Sequence, residues 1–164
     1  MEETSELGLQ SLQVWQRSVS LAKCIYDQVL PALPEDEKWS LSNQLKRAAQ
    51  SIPANIAEGY GRFYYQEGIR FCYIARGSLE ETFTHLFLAH ELGYISDEIF
   101  VPISAELSDI RRMLNGYIAY LKKTKRGKDE PGATYSARED PMPYDPFTPG
   151  ESNPNYLGDH YPSD

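Results

Sequence analysis

Enzyme chemistry in this chain would have to start from His85 and His90, each with a carboxylate close by in sequence. Glu81 lies one turn before His85, and Glu91 follows His90. A di-metal centre inside a helical bundle needs Glu-x-x-His motifs on two helices and further glutamates on the other two, all facing inward. Glu81-x-x-x-His85 has the wrong spacing and no second copy occurs, so surface or helix-packing roles are expected for both histidines. No Ser or Cys has an accompanying His and acid set, and Gly59-x-Gly61 lacks the strand–turn–helix setting of a phosphate cradle. Cys24 and Cys72 sit in apolar helical patterns, where buried reduced thiols are expected. These residues predict a protein that is not an enzyme, with no catalytic residue, metal, cofactor or small-molecule substrate.

The other chemistry on offer is anion binding. The stretch KKTKRGK holds Lys122, Lys123, Lys125, Arg126 and Lys128, five basic residues in seven. Lys46 with Arg47 and Arg111 with Arg112 add basic pairs upstream, and Arg70 and Arg76 lie between them. The plain role of the terminal cluster is to complement a helix C-terminus and keep the chain soluble. The functional role is a nucleic-acid surface multiplied by oligomerisation. The chain as a whole argues against a generic nucleic-acid binder, because its net charge is −8 and phosphate contacts need clustered Lys and Arg. The charge is uneven, however. Residues 1–123 carry 12 basic and 16 acidic side chains, whereas residues 129–164 carry eight acids and one base. Screening confines repulsion to roughly 8–10 Å, so a local basic cluster can act despite the total. The acidic segment folding back on that cluster is a third arrangement.

Helices must position these groups. Leu12, Trp15, Val19, Ala22, Tyr26, Val29 and Leu33 recur at spacings of three and four, the seam of a bundle helix that Pro31 and Pro34 end. A second helix is expected to begin at Ser40 as N-cap, with the seam Leu41, Leu45, Ala48, Ile52, Asn55 and Gly59. The third runs from about residue 64 to 92 and is apolar almost all round, which predicts packing on more than one side. Gly93 is placed to end it, and Ser96 to cap a fourth with the seam Phe100, Ile103, Leu107, Ile110, Leu114, Tyr117 and Leu121. No segment alternates with period two. The expectation is an all-α, antiparallel up-and-down four-helix bundle over residues 10–123. Residues 124–164 follow as a basic linker and an acidic, Pro/Tyr-rich tail with seven of the eleven prolines. In that tail Tyr144, Phe147, Tyr156, Leu157 and Tyr161 are candidate anchors for a strap on the bundle or a neighbour.

Pro53 interrupts the second pattern without disturbing its seam, so one kinked helix is expected rather than two. Asn55 is expected to bond the carbonyl that Pro53 frees, or a side chain opposite. Ala54, Ala57 and Gly59 are small enough to admit another helix, Glu58 and Arg62 are one turn apart and can pair, and Gly59 and Gly61 permit the reversal into the third helix. The stretch is architecture.

The phrases SIPANIAEGYGR, FCYIARGSLEET and LAHELGYIS, with LQVWQRSVSLAKCIYDQV before and LSDIRRMLNGYIAYLKK after, resemble the four-helix bundle family typified by the 23S rRNA intervening-sequence protein. The resemblance implies an up-and-down bundle that assembles into a ring, usually a pentamer. It also reaches the accessory variability protein of diversity-generating retroelements, a basic pentamer that works with a reverse transcriptase and binds nucleic acid. Two departures stand out: this chain is acidic, and its tail lies outside the family pattern.

Trp39, Phe63, Tyr64, Tyr65 and Tyr73 cannot all face one core, and tyrosine is favoured at interfaces, so these are candidate subunit contacts. The acidic N-terminus lacks a signal-peptide core and no run is long enough to span a membrane. A cytoplasmic homo-oligomer acting as a binding or scaffold protein is expected. The alternative is an RNA-binding accessory protein of a reverse transcriptase or of ribosomal RNA.

Overall fold

The computed structural model describes residues 8–125 and 127–128. Four long helices carry the fold: α1 (Gln13–Cys24), α2 (Leu41–Gly61), α3 (Tyr65–Glu91) and α4 (Asp97–Thr124). Each packs on its chain neighbour, and α1 closes the bundle against α4. The connections are short and successive helices run antiparallel, so the fold is an all-α up-and-down four-helix bundle, with no strand among the described residues. The anchors Tyr144, Phe147, Tyr156, Leu157 and Tyr161, and Arg126 of the basic cluster, lie outside the described residues.

The core follows the helical period, with one correction. In α1 and its continuation the buried stripe is Val14, Ser18, Leu21, Ile25, Val29 and Leu33, and Val19 is 40% exposed. The seam is thus rotated by about one residue from Trp15 and Val19. Ser18 tolerates full burial because its hydroxyl donates to the carbonyl of Trp15 at 2.7 Å, which removes the cost of a bare polar group. Beyond Cys24 the helix widens into a π-type turn over Ile25–Val29, then tightens over Leu30–Ala32 around Pro31. Those turns keep Val29 and Leu33 on the buried face.

The helix ends explain the connections. Ser40 stands at the N-cap of α2 but makes no side-chain cap bond. The Glu37 carboxylate caps instead, accepting from the Leu41 amide at 3.3 Å and from the Ser40 hydroxyl. It also accepts from the Tyr94 hydroxyl at 3.3 Å, tying the α1–α2 connection to the α3–α4 turn. The Ser40 hydroxyl first, then the Leu41 amide and Tyr94, hold the Glu37 carboxyl below the usual range. Gly93 takes the left-handed conformation at φ 72°. Its amide bonds His90 at 2.8 Å and that of Tyr94 bonds Ala89 at 2.9 Å, the pairing of a Schellman stop.

Pro53 lies inside α2, which runs unbroken to Gly61. The reversal after it comes from extended backbone at Arg62 and Tyr64. Neither Gly59 nor Gly61 needs a positive φ. Of the small residues, Gly59 meets α3 closely: a Cβ there would lie 2.9 Å from the carbonyl oxygen of Gly68. Ala54 is exposed.

Candidate binding surfaces

The Pro53 stretch builds a polar seam between α2 and α3. The Asn55 amide donates to the carbonyl of Ser51 at 2.8 Å and to its hydroxyl at 2.9 Å, not to the carbonyl of Ala49 that Pro53 leaves without its donor. Asn55 and Ser51 are four residues apart on one helical face. The Ser51 hydroxyl lies 2.8 Å from that of Ser78 on α3, and Thr82 bonds the carbonyl of Ser78 at 2.7 Å. Asn55 therefore reaches α3 through Ser51. At the end of α2, Arg62 pairs with Glu58, approaches Glu67 at 3.7 Å and stacks over Phe71 at 5.1 Å.

The basic residues fall into three groups. Lys46 and Arg47 are exposed in the second turn of α2, with the Lys46 ammonium 5.3 Å from the Tyr26 ring. Arg111 and Arg112 are midway along α4, where Arg111 meets Glu80 at 3.3 Å and Arg112 pairs with Asp109. Lys122, Lys123 and Lys125 are exposed at the end of α4. Leu121 packs against Gly68, which abuts Gly59; from that level to Lys46 is 13 residues of α2, roughly 20 Å along the axis at 1.5 Å per residue. One subunit thus presents separated clusters rather than a single basic face.

At the C-terminal cluster the chain turns back. Lys125 and Gly127 both have positive φ, 46° and 78°, and the Lys128 amide bonds the carbonyl of Lys125 at 3.2 Å. A Cβ on Gly127 would lie 3.1 Å from the rings of Phe63 and Tyr64, so this turn is laid against the α2–α3 connection. Phe63 and Tyr64 pack edge to face at 5.3 Å. Tyr65 and Tyr73 are half-buried against the core, and Tyr73 also carries the Arg76 guanidinium at 4.9 Å. Trp39, at the other end, is 82% exposed.

A larger apolar surface was not picked out residue by residue from the sequence. Ile74 (43% exposed), Phe87 (44%) and Leu88 lie on the outside of α3, with Val101 exposed on α4 and Leu92 between them. Phe83, Phe87 and Phe100 form a ring cluster with centroids 6.0 to 6.4 Å apart, and the His90 ring stacks on Phe100 at 4.4 Å. The signal was present in the all-round apolar character of the third helix. Among the described residues that second apolar side is left exposed.

The titratable groups do structural work. Arg17 of α1 donates to Glu106 at 2.7 Å and to Asp109 at 3.1 Å on α4. Arg17 first, then Arg112, hold the Asp109 carboxyl below its usual range. His90 contacts Asp97 at 2.7 Å and joins the end of α3 to the start of α4, whereas His85 is 3.7 Å from Glu81. Burial pushes the Cys72 thiol up to about 12, and Cys24 is raised by burial and then by Asp27. Among the described residues no cluster of His, Cys, Asp and Glu is arranged to hold a metal ion, and no helix is long and apolar enough to cross a membrane.

The likeness to known proteins lies in the bundle. A model of the family described as 23S rRNA-intervening sequence protein matches residues 10–116. The crystal structure of a protein of unknown function from the S23 ribosomal protein family of Bacteroides thetaiotaomicron is similar over 64% of this chain and 97% of that one. Its identity is 27% and its TM-score 0.60. No curated protein matches the chain.

Proposed function

The chain belongs to the 23S rRNA-intervening sequence protein family, and from that premise we propose that it is a non-enzymatic, self-associating helical scaffold, pentameric by family resemblance. The observation that carries this reading is the apolar side of α3, with its neighbour on α4, that the other described residues leave exposed: Ile74, Phe87, Leu88 and Val101. Exposed apolar groups gathered on one side, as at Phe87, Leu88 and Val101, support association, and aromatic residues are enriched in interfaces. Phe63 and Trp39 extend the exposed aromatic set to both ends of the bundle. Native mass spectrometry at low salt, without nuclease treatment, tests the reading. A discrete oligomer is expected, and the double variant Phe87→Glu/Leu88→Glu should shift it to monomer while keeping its helical circular dichroism. A wild-type monomer at micromolar concentration would remove the scaffold reading.

One observation favours a second reading, an RNA-binding accessory protein of a reverse transcriptase or of ribosomal RNA, in the cytoplasm. Lys122, Lys123 and Lys125 stand exposed beside the aromatic α2–α3 connection, a pairing of charge and rings that suits single-stranded nucleic acid. The same spectrum checks it. RNA that co-purifies and dissociates as salt rises supports this reading, and a nucleic-acid-free assembly counts against it.

A further inference from the structure

We propose that residues 129–164 dock on their own bundle, across the end formed by the α2–α3 connection and the last turn of α4. The receiving surface contains Arg62, Phe63, Tyr120, Lys122, Lys123 and Lys125. Phe63 and Tyr120 (59%) are exposed apolar groups. The three lysines are exposed and make no ion pair with another described residue. The segment that follows carries eight acids against one base, with Tyr144, Phe147, Tyr156, Leu157 and Tyr161 between them. Charge and apolar character are therefore complementary on the two sides.

Geometry favours the same end. The chain does not continue along the α4 axis, because the positive-φ residues Lys125 and Gly127 reverse it against Phe63 and Tyr64. Gly127 and Lys128, the last described residues, thus lie over the surface in question. Tyr144 and Phe147 follow Lys128 by 16 and 19 residues, and a coil of that length has a reach of about 20–25 Å. A four-helix end with axes 8–10 Å apart is about 20 Å across. The tether holds the tail near a millimolar effective concentration, so even a weak contact is substantially occupied. The opposite end is the more acidic, with Glu35, Asp36 and Glu37 in the α1–α2 connection and Glu91, Asp97 and Glu98 at the facing ends of α3 and α4, against Lys38. A docked tail covers the lysines that a polyanion would need. The inference does not depend on self-association.

Limited chymotrypsin digestion of the full chain tests it, with a free reference peptide correcting for protease activity. Cleavage after the tail aromatics should be about tenfold slower at low salt than in the variant Lys122→Glu/Lys123→Glu/Lys125→Glu, because cleavage follows the undocked fraction. Raising salt to about 0.5 M should release wild type to the variant's rate, since the screening length then falls below about 5 Å. A second variant, Glu139→Gln/Asp140→Asn/Asp145→Asn, leaves the bundle untouched and should be cut as fast as the lysine variant. Equal rates in wild type and both variants would overturn the proposal. Protection that fades on dilution would also overturn it, by placing the tail on a neighbouring copy.

Discussion

Gly59 and Gly68 bring the backbones of α2 and α3 into contact: a Cβ on Gly59 would lie 2.9 Å from the Gly68 carbonyl oxygen and 3.0 Å from the Cβ of Phe71. Both obstacles sit on or next to main chain, so neither can swing aside. Gly59→Ala gains about 0.5–1 kcal/mol of helix propensity but forces α2 and α3 apart, which costs about 1–3 kcal/mol. We expect net destabilisation, read as a lower urea midpoint. Gly77→Ala is the control, because a Cβ there meets nothing within 4 Å; it should raise the midpoint by its propensity gain. Equal behaviour of the two variants would contradict the close approach.

The Asn55–Ser51–Ser78 chain should behave as one unit. Ser51→Ala removes an acceptor of Asn55 and the partner of Ser78, so it is expected to cost about 1–2 kcal/mol. Adding Ser78→Ala should cost less than its effect alone, because the two groups share a hydrogen bond. Strictly additive losses in chemical denaturation would mean that the seam is not coupled.

Cys72 sets an alkaline limit. Its thiol is fully buried, and burial pushes it up to about 12. A group raised in the folded state leaves stability intact below its unfolded value and withdraws it above. Stability should therefore fall from about pH 9, by at most about 1.4 kcal/mol per unit. Cys72→Ala should flatten that fall. In native protein Ellman's reagent should modify Cys24 slowly and leave Cys72 until denaturant is added; rapid loss of both thiols would contradict the core placement.

Arg17 joins α1 to α4 through Glu106 and Asp109, in a partly exposed setting. Arg17→Met should lower the thermal midpoint at low salt, and the difference from wild type should shrink at 1 M NaCl. Asp109 is held below its usual value by Arg17. Its contribution is thus present at neutral pH and lost as pH drops below about 4. The variant should lose less stability than wild type over that range. Parallel acid curves would leave Arg17 no electrostatic role.

The sequence made the bundle legible because three of its four helices repeat apolar residues over several turns, and Gly93 marks a stop whose geometry is local. What escaped it turns on single atoms. A shift of one residue rotates a helix face by about 100°, and the buried place of Ser18 against the exposed one of Val19 depends on a hydroxyl finding the Trp15 carbonyl. Ser40 looked like a cap, but Glu37 already reached the Leu41 amide. Asn55 was tied to Pro53 by proximity in sequence, whereas the nearest acceptors were on Ser51. Among the candidate contacts, the basic residues were visible as types. That antiparallel packing would set Lys46 some 20 Å from Lys122 could be seen only once α2 and α4 were in register.

Gly8 lies against Tyr60, and Gly127 against Phe63, so the described chain enters and leaves the bundle at the same end, while the Glu37–Tyr94 bond closes the other. A cyclic assembly with its symmetry axis along the helices would repeat that polarity in every subunit. The particle would then have a front and a back: one rim bearing Lys122, Lys123 and Lys125 of every subunit, the other bearing the α1–α2 and α3–α4 connections with Trp39 and, a turn further in, Lys46 and Arg47. A partner captured through residues 129–164 would meet a single face of the ring, and two such rings could stack tail to tail or loop to loop with wholly different surfaces in contact.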